Sequence, residues 1–185
     1  LLKLFLKILE NVIELDFRGK IESNYLVESP ANYGNKRIGY QRFDEIGAYD
    51  HYFVLEKQEL FDEVKQIFEL IAESNEKPVY LHCAAGADRT GSICFLLESI
   101  LGMKYIDMIC DYEYTTFCKD YRNHFDPIPS YQPFVRFRQM YEEIEKYIVK
   151  YNLDNDISVV IEHLLINRFN VKKETIDKIR GNLLE

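Results

Sequence analysis

Residues 77–102 constrain the fold of this chain more than any other stretch. Lys77-Pro78 introduces the short apolar run Val79-Tyr80-Leu81, which reads as a buried strand. Ser92–Leu101 reads as a helix, with Gly102 as its stop. Between them lies His82-Cys83-Ala84-Ala85-Gly86-Ala87-Asp88-Arg89-Thr90-Gly91, a small-residue loop opened by a cysteine and closed by an arginine. A strand feeding a helix through so tight a loop suits an anion. Successive backbone N–H groups converge on one point, and the positive end of the following helix adds to the field. Arg89 can grip two oxygens of the same anion. Cys83 stands where thiolates are favoured, beside a cation and a helix N-terminus. A nucleophile at the foot of a phosphate-sized cradle fits phosphoryl transfer.

The rest of the composition bounds the setting of that loop. One domain, residues 1–185, is the expectation for 185 residues, and the 47% apolar content is enough for a sizeable core. The net charge of −8 argues against nucleic-acid or stable membrane association, both of which need a basic face. An anionic substrate must therefore be drawn by a local field. The four cysteines, Cys83, Cys94, Cys110 and Cys118, form no C-x-x-C pair, so free thiols are expected and neither a metal nor a cofactor is. A reduced Cys83 favours the cytoplasm. Secretion stays open, because the sequence starts at Leu1 rather than Met.

Along the chain, helix is expected over Leu1–Leu9 and strand over Asn11–Phe17, with a second strand over Arg37–Phe43. Leu60, Phe61, Val64, Ile67, Phe68 and Ile71 mark an amphipathic helix from Lys57 to Ser74. Further helices are expected at Tyr105–Phe117, Tyr131–Tyr151, Asp154–Phe169 and Val171–Leu184, with Asn170 a left-handed cap and Gly181 a stop. The last pair could be read as a helix-turn-helix, but its acidic surroundings make a poor phosphate-backbone partner.

The motif His82-Cys83-x5-Arg89-Thr90-Gly91 resembles the signature loop of cysteine-dependent protein tyrosine phosphatases. Gly86-Ala87-Asp88-Arg89-Thr90-Gly91 is similar to the bacterial branch related to the secreted tyrosine and lipid phosphatases of mycobacteria and Listeria. Those relatives usually carry Lys where Ala87 stands. The likeness extends to Asp16-Phe17-Arg18 after the first strand, to Asp111-Tyr112-Glu113-x-Thr115, taken as structural, and to Val171-x4-Ile176-x2-Ile179-Arg180 in the tail. It implies an α/β phosphatase fold: a central, mainly parallel sheet with helices on both faces and a helical C-terminal tail. It also implies further strands before Asn11, so the N-terminal part is expected to be truncated or minimal.

Site roles follow. Cys83 attacks phosphorus to give a phosphocysteine, while Arg89 and the amides of Ala84, Ala85, Gly86, Ala87, Asp88 and Arg89 stabilise the equatorial oxygens. The resemblance implies that Thr90 hydrogen-bonds the sulfur as it leaves and that Asp88 is the general acid. Asp50 is the rival acid, with Asp44 behind it, because both lie where many tyrosine phosphatases carry a mobile acid loop. His82 is expected to brace the loop, and Arg18 to be an ordinary surface or ion-paired residue with Glu22 as candidate partner, slightly ahead of a substrate role.

The absence of Lys at position 87 makes phosphotyrosine protein, or a small phosphomonoester, the first substrate class. Dual-specificity or phosphoinositide hydrolysis is the alternative. Two other classes fit less well. A non-catalytic phosphate-binding pseudophosphatase usually loses one of Cys83, Arg89 and Thr90. A rhodanese- or arsenate-reductase-like thiol enzyme does not account for Thr90-Gly91 at the helix start.

Overall fold

The computed structural model describes residues 12–18, 41–46, 51–75, 77–83, 86–114 and 132–184. The expected Leu1–Leu9 helix lies outside these residues. Three strands form one parallel sheet: β1 (Ile13–Asp16), β2 (Gln41–Arg42) and β3 (Val79–His82), in the order β2-β1-β3. Leu15 pairs with Gln41 and Leu81, and Asp16 with Arg42 and His82, so all three strands end on the same edge. Parallel strands with this register present their carboxyl ends together, where α/β folds bind ligands.

The helices described are α1 (His51–Val54), α2 (Gln58–Glu73), α3 (Asp88–Ile100), α4 (Tyr105–Tyr114), α5 (Gln132–Tyr151), α6 (Ile157–Asn167) and α7 (Lys173–Leu184). In α2 the expected stripe is the buried one: Leu60, Val64, Ile67, Phe68 and Ile71 lie at helical spacing and face the core. Helix α3 buries Ile93, Phe95, Leu96, Leu97 and Ile100, as well as Ser92 and Ser99, and so runs through the interior. Its buried serines are satisfied by back-bonding, Ser99 Oγ donating to the Phe95 carbonyl at 2.7 Å. Helix α6 packs on α3, and α7 on α2. Asp156 caps α6 by accepting from the Ser158 N–H at 2.8 Å.

Gly102 ends α3 as expected. With φ at +77° it lets its own N–H reach Ser99 and the Met103 N–H reach Glu98, at 3.0 and 3.1 Å. Asn170 likewise adopts the left-handed region, at +54°. Gly181 does not stop a helix, because α7 continues through it to Leu184. Tertiary anchors on either side offset its weak helix propensity. Arg180 Nε donates to the Ile100 carbonyl at 2.7 Å, and Asn182 Nδ2 to the Ala72 carbonyl at 3.1 Å.

Candidate active site

The sheet's hydrogen-bond ladder runs on past its strands into the site. The Phe17 N–H donates to the His82 carbonyl at 2.8 Å, and the Phe43 N–H to the Asp16 carbonyl at 2.9 Å. Cys83, the next residue of the chain after β3, is a free thiol at 9% exposure. Ala84 and Ala85, two of the six expected phosphate-binding positions, lie outside the described residues. Gly86 turns the loop with φ at +74°, a conformation that strains any residue with a Cβ.

Helix α3 begins earlier than the sequence pattern indicates. It starts at Asp88, so Arg89 and Thr90 lie in its first turn and Thr90 is not its N-cap. That position belongs to Ala87, which has no side-chain acceptor to offer. A Ser or Asp there would occupy one of the first-turn amides; alanine leaves them available to an anion.

Arg89 is held by the residue that follows β1, its Nη1 donating to the Phe17 carbonyl at 2.7 Å. The contact fixes the direction of the guanidinium from outside its own helix. Asp88 Oδ1 and Thr90 Oγ1 are both buried, and neither has a hydrogen-bond partner among the described residues. Buried polar atoms are rarely left so, and here they sit on the two residues flanking Arg89.

Beneath the loop, β1 supplies charged groups that sequence reasoning placed differently. Arg18 does not turn to Glu22, which lies outside the described residues, but to Asp16. Its Nε reaches both Asp16 carboxylate oxygens at 2.8 and 3.0 Å, its Nη2 reaches one at 2.6 Å, and its backbone N–H adds a fourth bond at 3.0 Å. Burial alone would raise the Asp16 pKa. The Arg18 hydrogen bonds, with the His82 and Arg18 charges, outweigh it and hold the carboxyl below its usual range. His82 braces the loop through Glu14, with Nε2 at 2.8 Å from Glu14 Oε1. Its ring also stacks on Tyr80, centroids 5.0 Å apart.

Glu14, Asp16 and His82 offer donor atoms within 4.8 Å of one another and are the one such cluster among the described residues. Asp16 is already clamped by Arg18, and Glu14 already bonds His82, so the trio is a hydrogen-bonded network as it stands. Glu14 was missed because it alternates with Ile13 and Leu15, a pattern that reads as a solvent-facing strand side. In fact that side is covered, and both Glu14 and Asp16 are buried.

Among the rival acids, Asp44 is exposed and its backbone N–H donates to Glu63 Oε1 at 2.9 Å. Asp50 lies outside the described residues. The cysteine of α3, Cys94, is pushed up to about 12, by burial first and then by Glu98, Asp111 and Cys83, which makes it unreactive. Two clefts elsewhere, one against α4, α5 and α6 and one between α2, β3 and α7, contain none of the loop residues. No helix among the described residues is long and apolar enough to cross a membrane.

No curated protein matches the sequence. A family model does: the one described as tyrosine phosphatase family matches residues 15–185, from β1 through the loop to the helical tail. The chain belongs to the tyrosine phosphatase family.

Proposed function

We propose that the chain hydrolyses phosphomonoesters through a phosphocysteine on Cys83, with phosphotyrosine as its first substrate class. The observation that carries this reading is the convergence at one sheet edge. Cys83 directly follows β3, Arg89 is anchored to Phe17 just past β1, and the two buried side-chain oxygens flanking that arginine have no partner among the described residues. In the first step the Cys83 thiolate attacks phosphorus and the ester P–O bond breaks, while the Asp88 carboxyl protonates the departing oxygen. Arg89 and the loop amides hold the three equatorial oxygens. In the second step Asp88 takes a proton from water as that water attacks phosphorus. The P–S bond breaks, inorganic phosphate leaves, and Thr90 Oγ1 hydrogen-bonds the released sulfur.

Ala87 is buried and brings no charge to the loop, which favours phosphotyrosine over a polyanionic phosphoinositide. The same reading takes the chain as one phosphatase domain of the bacterial branch, with helices on both faces of the sheet. It also calls for a reducing compartment such as the cytoplasm, since Cys83 acts as a thiol. Hydrolysis of p-nitrophenyl phosphate in excess chelator tests it. Turnover should persist with chelator and vanish in Cys83→Ser. Activity retained by Cys83→Ser would overturn the proposal.

A further inference from the structure

The cleft against α4, α5 and α6 has a volume of about 210 Å³, and none of the loop residues lines it. Two tyrosine rings form part of its wall. Tyr105 from α4 and Tyr141 from α5 stand with centroids 5.1 Å apart and planes tilted by 40°. Ile144 and Ile148 follow Tyr141 at helical spacing on α5, and Ile157 at the start of α6 completes the apolar lining. The polar lining is Glu145, on the same face of α5, with Asn155. Glu145 is the one charged residue of the lining, and it is exposed. Its neighbours three and four positions away are Tyr141, Glu142, Ile148 and Val149, so its own helix supplies no counter-charge at pairing distance. The nearer lysines of α5 are engaged elsewhere, Lys146 with Glu143 at 2.6 Å and Lys150 over the Tyr151 ring at 4.9 Å. Burial first, then Tyr141 and Glu145, pushes the Tyr105 phenol up to about 12, so that ring stays neutral beside the carboxylate.

We propose that this cleft docks a lysine side chain of a protein partner. Such a side chain uses both halves of the lining. Its apolar stem lies on the isoleucines, while its ammonium meets the tyrosine faces and the Glu145 carboxylate. An anionic group would be repelled by Glu145, and an apolar group would leave the carboxylate unused. The net charge of −8 favours a basic partner in the same direction.

The test titrates the full chain with Nα-acetyl-lysine methylamide and Nα-acetyl-norleucine methylamide, which share the apolar stem and differ by the ammonium. Methyl NMR of Ile144, Ile148 and Ile157 reads the binding, with no phosphate ester present, so the outcome is independent of the phosphatase reading. The lysine probe should shift these methyls saturably with a millimolar dissociation constant, the scale for one side chain. The norleucine probe should bind about tenfold more weakly, the scale of one charge-assisted hydrogen bond. Glu145→Gln should bring the lysine probe down to the norleucine level and leave norleucine unchanged. Tyr141→Leu should weaken the lysine probe about threefold through the lost cation–π contact. Norleucine binding as tightly as lysine, no shift with either probe, or lysine binding unchanged in Glu145→Gln would overturn the proposal. So would tighter binding of putrescine than of the lysine probe, which would assign the cleft to a free polyamine.

Discussion

Asp16→Asn isolates what β1 does for the site. Asp16 is fully buried and Arg18 nearly so, and the two share three hydrogen bonds between 2.6 and 3.0 Å through the arginine side chain. Removing the carboxylate leaves a buried guanidinium without its counter-charge, a change that costs about 3–5 kcal/mol in comparable pairs. Asparagine keeps one acceptor oxygen, so about 3 kcal/mol is expected here. Urea unfolding of the wild type, Asp16→Asn, Arg18→Met and the double variant Asp16→Leu/Arg18→Met measures it. The double variant should be far milder than either single charge deletion, because no buried charge is left unpaired. The pH sign follows from the lowered Asp16 pKa. The pair's stabilisation is present above the unfolded carboxyl value and is lost as pH falls through the folded one, so Asp16→Asn should flatten the acid side of the stability profile. A loss below about 1 kcal/mol would put the pair in the class of solvent-screened surface bridges and refute the argument.

Three further outcomes are expected. Glu98 is raised to about 8 by burial and by the charge and hydrogen bond of Asp111, so its stabilisation is complete below the unfolded carboxyl range and is lost as pH rises through about 8. Melting temperatures of Glu98→Gln should lack that alkaline decline. Gly86→Ala meets no atom within 4 Å but must hold φ at +74°, which should cost about 1–2 kcal/mol in thermal unfolding and slow turnover through a distorted loop. Asp88→Asn should abolish the basic limb of the pH–rate profile. If Asp50→Asn removes that limb instead, the acid lies on the segment after β2.

The parts of this molecule legible in its sequence are those set by local chemistry. The α2 stripe, the Gly102 and Asn170 caps and the strand–loop–helix around Cys83 each follow from a few adjacent residues. What was not legible depends on contacts across the fold. Gly181 reads as a stop, yet Arg180 and Asn182 hold the helix through it by bonding α3 and the carbonyl of Ala72 near the end of α2. Arg18 pairs within two residues rather than four because both partners are buried at the strand's end. Glu14 bonds His82 from 68 residues earlier in the chain, and no sequence spacing announces it. The fields at the loop were foreseeable from its own residues, whereas the groups that brace it were not.

The central claim is that Cys83 forms a covalent bond to phosphorus. Acid-quenched mixing of enzyme with a phosphoryl-labelled aryl phosphate, followed by peptide mapping, tests it most directly. The account predicts label on the peptide holding Cys83, formed at the rate of the aryl alcohol burst, with none in Cys83→Ser. Turnover at the full rate with the label absent from Cys83, or carried on another residue, would contradict it.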